Sequence, residues 1–407
     1  MLILTEALPS FLLVRRLSRL SRAQLLHWQV RALDRWLARD LPRAPFYQRL
    51  AGQPLSALPL TDKATLMADF SAFNTRGISA GRARAIIEAG MVQGDLIAGA
   101  STGTSGNRGL YLATRAESHR WLGAILAHAL PDMIVRPQRV ALILPRSAGI
   151  YGAAQGRWLQ LQHFDLTEGP AAWRARLGGF APTVLVATPK ILRHLAEEGF
   201  RLSPNRVFSA AETLDPNDRA PIEARFGAPL RQIYMATEGL LAVSCAQGTL
   251  HLCEDSLHFE FEPVDDLVTP RITAFRRQTQ IMARYAMNDL LRLGTCSCGL
   301  PFQAITEVAG RTDDIFQLRG QPVTPDILRN AVLTAHPGIT DFRLVQSGPR
   351  KVTLTLPPNV PGAAQALAAV AALLYRFDPE VDVTLDSRPL PLDTTRKLRR
   401  VERIWKP

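Results

Sequence analysis

The sequence predicts an α/β chain in two unequal parts. A large N-terminal unit of several subdomains, with mixed sheets and helices, precedes a small α+β unit. Three observations predict this. From about residue 85, short β-rich runs alternate with helical patterns, the texture of buried strands covered by helices. Over residues 249–282 the pattern becomes strand-like and antiparallel. After Arg311 the chain restarts as helix, strand, strand, helix, strand. At 407 residues the chain exceeds what one hydrophobic core usually organises. We place the units at residues 1–312 and 313–407, the second of a size that folds as a domain.

The elements follow in order. The first 75 residues read as helical: Leu25, Trp28, Leu33 and Trp36 recur at helical spacing with arginines between them. Leu41-Pro42 and Ala44-Pro45 end that helix. A second helical stretch begins after Thr61-Asp62, either of which caps it. Runs 140–144, 183–187 and 206–209 read as strands, and 189–198 as a helix between two of them. In the last unit, 325–335 and 363–377 read as helices, and 342–345, 352–356 and 381–385 as strands. The alanine-rich stretch within 363–377 suits a helix packed on a surface.

Composition narrows the function. With 47% apolar and 21% charged residues, the chain is globular, not disordered. The formal net charge is +12, and only five of the 48 basic residues are lysines: Lys63, Lys190, Lys351, Lys397 and Lys406. That balance admits nucleic acid, a membrane surface, a nucleotide or coenzyme A as partner, without choosing among them. No apolar run reaches the roughly 18–20 residues of a membrane span, so no membrane partner is expected. The N-terminal segment places apolar residues before Arg15 and Arg16, the reverse of a signal peptide, which predicts a cytoplasmic protein. Four cysteines in this length are not a disulfide framework. All lie between Cys245 and Cys298, which points to a local site. Cys245, His251, Cys253, Cys296 and Cys298 are soft ligands suited to a tetrahedral zinc. Five candidates compete for four places, and His251 and Cys253 share a strand face, so either fits. The plain alternative is a set of buried, reduced thiols.

The phosphate-binding candidate is Ala100-Ser101-Thr102-Gly103-Thr104-Ser105-Gly106-Asn107-Arg108-Gly109. Its glycines let backbone amides approach an anion, its hydroxyls add donors and Arg108 adds a cation. No Gly-Lys-Ser/Thr ends it, so it is not a Walker loop. Further motifs follow: Ala211-Glu212 after the 206–209 run, Tyr234-Met235-Ala236-Thr237-Glu238, Tyr285-Ala286-Met287-Asn288-Asp289, Gly310-Arg311-Thr312-Asp313-Asp314, and Lys397 in a basic C-terminal stretch. Each alone has a bland reading, such as a turn cap for Asp289, a solvated charge for Arg311 or a basic tail for Lys397.

In this order the motifs resemble those of the adenylate-forming, or acyl-CoA synthetase, superfamily, and the resemblance covers nearly the whole chain. The glycine-rich stretch resembles Ser-Ser-Gly-Thr-Thr-Gly-Lys-Pro, with Asn107 and Arg108 in place of Lys-Pro. The second motif resembles Tyr-Gly-x-Thr-Glu, with Met235 in place of glycine, and Ala211-Glu212 resembles the Gly-Glu that borders adenine. The last stretch resembles the loop whose Gly-Lys reaches the reacting carboxylate, with Arg396 in place of glycine. The cysteines, together with Ala44-Pro45-Phe46-Tyr47 and Leu58-Pro59-Leu60-Thr61-Asp62-Lys63, resemble the phenylacetate-CoA ligase-like branch. They also resemble its adenylate-forming members related to synthetases that adenylate a deazaflavin cofactor.

The resemblance implies an AMP-forming acid–thiol ligase. ATP and an aryl or other small carboxylic acid would give acyl-AMP and pyrophosphate. The acyl group would then pass to a thiol, coenzyme A or a carrier protein. The nucleotide would be held by Ser101, Thr102, Gly103, Thr104, Ser105, Gly106, Arg108, Ala211, Glu212, Tyr234, Thr237, Asp289, Arg311 and Lys397. Asp289 would take the ribose hydroxyls. Lys397, Thr237 and Glu238 would serve the chemistry, with Glu238 on Mg²⁺. The small unit would be mobile, pivoting at Asp313. A structural Zn²⁺ would take Cys245, His251, Cys296 and Cys298, leaving Cys253 spare. The acid pocket is expected near His163-Phe164, Ala210-Ala211 and Met235. Because ATP, pyrophosphate and coenzyme A are polyanions, the basic charge no longer requires nucleic acid. Two other readings stand beside this one: adenylyl transfer to a hydroxyl of a cofactor or phenol, and a non-enzymatic basic scaffold.

Overall fold

A computed structural model describes residues 3–100, 109–144, 156–391 and 398–405. The core of the large unit is one mixed sheet, twelve-stranded among the described residues. Five strands run parallel, in the spatial order Leu159–Asp165, Gln138–Leu144, Val184–Ala187, Arg206–Ala210 and Leu230–Ala236. From Leu230–Ala236 onward the pairing becomes antiparallel, through Gly239–Ser244, Leu250–Leu252, Ala304–Arg311, Asp289–Gly294, Leu267–Thr273 and His258–Val264. The two halves meet at a two-residue hairpin turn made of Thr237 and Glu238, with Ala236 opposite Gly239.

The central parallel strands are buried on both faces, so they read as continuous apolar runs. All four residues of Val184–Ala187 are buried. Pro189–Glu197 packs Ile191, Leu192 and Leu195 on one face together with Trp173 and Leu177. Arg115–Ala129, helical but not anticipated from sequence, packs Leu122 on the other face against Val140, Leu142 and Phe208. Phe164 lies in the first of these cores, fully buried at 6.3 Å from Trp173. Phe164 therefore packs inward from the edge strand Leu159–Asp165, whose burial alternates along its length.

The N-terminal helices Leu8–Leu17 and Arg22–Arg39 match the expected helical segment. The second starts with a Ser21/Gln24 capping box, and 3-10 turns begin at Leu41 and Pro45, where the prolines stand. Asp62 caps Lys63–Ala68 through its carboxylate on Thr65 N at 2.7 Å. Thr61 instead donates its hydroxyl to the Ala283 carbonyl at 3.1 Å. These segments bury Leu33, Trp36, Tyr47, Leu58 and Leu66 beside Ile281, Met282 and Tyr285. Helical packing therefore underlies the strand that carries part of the candidate site.

The small unit has its own core, with Phe316, Leu328, Phe342, Leu354, Val370 and Leu374 among its fully buried members. Its four-stranded sheet runs Asp382–Ser387, Lys351–Leu356, Arg343–Gly348, Val401–Arg403, with helices Pro325–Leu333 and Ala363–Tyr375. The last strand was not anticipated. Val401 pairs parallel with Leu344, which anchors the chain shortly after Lys397. Gly310 lies where the two units meet. Its φ is +147°, and a Cβ there would stand 2.8 Å from Pro325 Cβ, so both conformation and space require glycine.

Candidate functional site

In open sheets with parallel strands, ligands bind beyond the carboxyl ends of the strands, where the topology switches. Here that edge holds Ala187, Ala210, Ala236 and the Thr237–Glu238 turn. The glycine-rich stretch connects Leu96–Ala100 to Leu110–Thr114, which pair antiparallel with Ala100 opposite Leu110. Ser101, Thr102, Gly103, Thr104, Ser105, Gly106, Asn107 and Arg108 lie outside the described residues, as do Arg396 and Lys397.

The remaining predicted nucleotide residues fall at this edge. Tyr234 donates its phenol to Asp289 Oδ2 at 2.5 Å. Burial pushes the Tyr234 phenol well above its usual range, and the Asp289 and Glu238 charges push it the same way. Tyr285 donates to Glu238 Oε1 at 3.0 Å, and its phenol is likewise raised by burial and by Glu238. Both phenols therefore stay protonated and act as donors to the two carboxylates. Asp289 stands directly opposite Arg311 across two paired strands. Arg311 meets Asp313 Oδ2 at 3.0 Å, and Asn288 Nδ2 donates to the same oxygen at 2.6 Å. Asp313 is exposed in the 3-10 turn Thr312–Asp314.

Ala211 and Met235, the two residues that stand where the resembling motifs have glycine, differ in backbone. Ala211, where the family has glycine, sits at φ +68°. The backbone there is left-handed, so glycine is the unstrained choice and alanine carries a cost. Met235 needs no such backbone. It lies at a register irregularity between Tyr234 and Met235 and packs with the Phe208, Ala210 and Leu240 cluster.

A narrow cleft opens beside the turn, lined by Lys63, Gly109, Thr237, Glu238, Gln280 and Tyr285 among others. Lys63, one of the five lysines, was not among the expected nucleotide residues, and its place beside Thr237 and Glu238 is visible only in the fold. Glu212 accepts from Leu398 N at 3.1 Å, so the small unit touches the large one at the residue after Lys397. Of the expected pocket residues, His163 is half-buried with its ring at 3.0 Å from the Leu144 carbonyl.

The cysteines separate into two clusters. Cys245, His251, Cys296 and Cys298 bring one ligand atom each within 4.8 Å of one another. Two hairpin loops and a strand deliver them: Cys245 precedes the turn into Leu250–Leu252, His251 sits in that strand, and Cys296 and Cys298 lie between Asp289–Gly294 and Ala304–Arg311. The Leu250–Leu252 and Ala304–Arg311 strands are paired, which aligns the loops. Cys245 Sγ is 3.8 Å from Cys296 Sγ, and Cys298 Sγ is 3.3 Å from His251 Nε2. A tetrahedral zinc with bonds of about 2.3 Å to sulfur spaces its sulfurs at about 3.8 Å, so the donor set fits that ion. His251 Nδ1 lies 2.8 Å from the Phe302 carbonyl, which leaves Nε2 facing the thiols.

Cys253 belongs to the second cluster, with His128 and Asp255. The strand ends at Leu252, so its alternation no longer aligns Cys253 with His251. His128 Nε2 is 2.8 Å from Asp255 Oδ1, and Arg276 is 4.0 Å from Oδ2. Burial and the Asp255 and Glu254 charges hold the Cys253 thiol well above its usual range. Here the carboxylate is paired with His128 and lies near Arg276, and the thiol stays protonated.

No protein-family model matches the sequence. The phenylacetate-coenzyme A ligase of Pseudomonas putida is 28% identical over 176 residues, or 38% of this chain, and the chain spans 39% of that protein's length. Among solved structures, the 2-hydroxyisobutyryl-CoA ligase in the postadenylation state with R3-HIB-AMP gives a TM-score of 0.70 at 19% identity, over 95% of this chain and 91% of that one. An anthranilate CoA ligase in complex with anthranoyl-AMP gives 0.52 at 14% identity, over 74% and 65%.

Proposed function

We propose that this chain, whose fold is that of the adenylate-forming acid–CoA ligases, activates a small carboxylic acid with ATP and passes the acyl group to a thiol, coenzyme A first among candidates. The observation that carries the reading is the edge where the sheet switches. There Tyr234–Asp289 and Glu238–Tyr285 hold two carboxylates in exchangeable hydrogen bonds beside the end of the glycine-rich stretch.

In the first step a carboxylate oxygen attacks the α-phosphorus of ATP, and pyrophosphate leaves with the electrons of the broken P–O bond. In the second the thiol sulfur attacks the acyl carbonyl, AMP leaves, and the thiol proton passes to solvent. Asp289 would accept from the ribose hydroxyls in place of Tyr234. Thr237 would donate to the α-phosphate, and Ala211-Glu212 would border the adenine. Glu238 is a hard oxygen ligand fit for Mg²⁺, which would neutralise charge on the phosphates. Ser101–Gly106 with Arg108 would cradle the phosphates, and Lys397 would follow charge on the attacking oxygen. The small unit, 313–407, would turn about Asp313 between the steps. Cys245, His251, Cys296 and Cys298 would hold a closed, structural Zn²⁺ that ties two hairpin loops together.

The test is pyrophosphate release across aryl and aliphatic acids, with product mass measured with and without coenzyme A. We expect release only with an acid present, an acyl thioester with coenzyme A, and a fall of about 100-fold in Lys397→Ala. An AMP ester of a hydroxyl compound would replace this reading with adenylyl transfer. Release unchanged in Lys397→Ala would remove that residue from the first step.

A further inference from the structure

Apolar and basic side chains are exposed together where the N-terminal helix ends. Helix Leu8–Leu17 runs beside Arg115–Ala129. Glu6 pairs with Arg120 at 3.0 Å before its start, and Phe11 and Val14 pack with Ala127 and Met133 toward its end. The helix buries Ser10, Phe11, Val14 and Leu17. Its outer side is apolar and then basic: Leu8 and Leu12 are exposed at i, i+4 spacing, and exposed Arg16 continues the row. The segment after Met133 adds Ile134, 54% exposed, and Val135, 68% exposed, followed by exposed Arg136.

The charge at this end is unbalanced. Among the described residues the guanidinium groups of Arg15, Arg16, Arg19 and Arg136 have no ion pair or hydrogen bond. Asp132 is the carboxylate that acts on Arg15 and Arg136, and Arg206 already bonds it at 2.7 Å. The patch also lies away from the candidate site. Arg136 O accepts from Gln138 Nε2 at 3.2 Å. Gln138 and Arg206 each begin a parallel strand, whereas the switch lies beyond the carboxyl ends of those strands.

We propose that this end of the chain docks on an anionic lipid surface, with Leu12, Ile134 and Val135 entering the headgroup layer and the four arginines meeting lipid phosphates. Exposed aliphatic side chains beside cations are the combination that such a surface takes up. The arginines select an anionic partner. Highly exposed aliphatic tips suit a deformable lipid layer, which needs no pocket to receive them. The contact is peripheral and independent of the function proposed above. No helix among the described residues is long and apolar enough to cross a membrane, and the expectation of no membrane partner came from the lack of such a span.

Flotation of the full chain with vesicles of phosphatidylglycerol and phosphatidylcholine, and of phosphatidylcholine alone, tests it. The wild type should float with the anionic vesicles, not with the neutral ones, and be released at high salt. Arg16→Glu/Arg19→Glu should weaken binding by about 30-fold or more, and Ile134→Ser/Val135→Ser by about tenfold. Both should keep the urea midpoint and the pyrophosphate release of the wild type. Absence of binding to anionic vesicles overturns the proposal, as does equal binding to neutral ones. Undiminished binding in either double variant overturns it too, by placing the contact elsewhere. Capture by soluble polyglutamate without flotation would make the patch a dock for an acidic protein instead.

Discussion

Carboxylates at the sheet switch and carboxylates at the seam between the two units are paired with different chemistry. At the switch, Asp289 and Glu238 accept from the phenols of Tyr234 and Tyr285. At the seam, Asp215, Asp218 and Asp341 converge on the Arg400 guanidinium. Arg400 is paired with Asp215, lies 3.1 Å from Asp218 and 3.3 Å from Asp341, and its side chain is only 8% exposed. Arg329 adds pairs to Asp215, at 3.4 Å, and to Glu307. A phenol hydrogen bond is easily exchanged for a ligand hydroxyl or a metal ion. A desolvated charge pair is not, since breaking it leaves a buried charge unpaired. The difference separates a place built for exchange from one built to hold the small unit in a single arrangement. If that unit turns during the reaction, Arg400 is the contact that must open.

The largest expected effect tests the seam. Arg400→Met leaves Asp215, Asp218 and Asp341 without their shared cation and should cost about 3–5 kcal/mol, read as a lower urea midpoint. A change near zero would mean that the three carboxylates are stabilised elsewhere and that the seam is no lock. The matching change at the switch is Asp289→Asn. It should raise the KM for ATP about 10–100-fold, the value of hydrogen bonds to a charged acceptor, while the urea midpoint hardly moves. If Asp289→Asn destabilises the fold as much as Arg400→Met, the contrast between the regions fails.

How much of this was legible in the sequence follows from the range of the signals. Three of the five parallel strands, at 140–144, 183–187 and 206–209, were readable because each is one short apolar segment. The cluster of Cys245, His251, Cys253, Cys296 and Cys298 was readable because few residue types carry that chemistry. The residues alone left His251 and Cys253 open and the resemblance set Cys253 aside; the local reason, the strand ending at Leu252, was not legible. The phenol–carboxylate pairs depend on cross-strand placement: Tyr285 sat in a quoted motif, yet nothing local joined it to Glu238. The seam was invisible for the same reason, since 185 residues separate Asp215 from Arg400 and charged side chains carry no periodicity that names a partner. The inward face of Phe164 was within reach of the sequence, since Leu159–Asp165 alternates in burial; the helix that covers that face was not.

A smaller effect at the seam comes from pH. Burial pushes the Asp218 carboxyl up to about 6, despite Arg193 and Arg400 against it. Its unfolded value is about 3.8, so between about pH 4 and 6 the folded chain binds the proton more tightly than the unfolded chain. Stability should therefore fall as pH rises through that window, with the cost fully present above 6, by about 3 kcal/mol. Asp218→Asn should flatten the dependence. An unchanged slope in that variant would assign the titration to another group.

The smallest effect returns to the switch and concerns Ala211. A left-handed alanine costs roughly 1 kcal/mol or more against glycine, while the freedom that glycine gains in the unfolded chain offsets about 0.4–1 kcal/mol of it. Ala211→Gly should thus stabilise the protein by a few tenths of a kcal/mol up to about 1, measured by urea unfolding. It removes no hydrogen bond from Tyr234, Asp289, Glu238 or Tyr285, so the KM for ATP should stay where it is. A stabilised variant with unchanged KM means that the strain at Ala211 is incidental to nucleotide binding. A stabilised variant that binds ATP less well means that the switch holds Glu212, and Leu398 behind it, in place through a backbone that alanine keeps rigid. In that case the boundary between the exchangeable switch and the locked seam runs through residue 211, where Glu212 meets Leu398 at 3.1 Å.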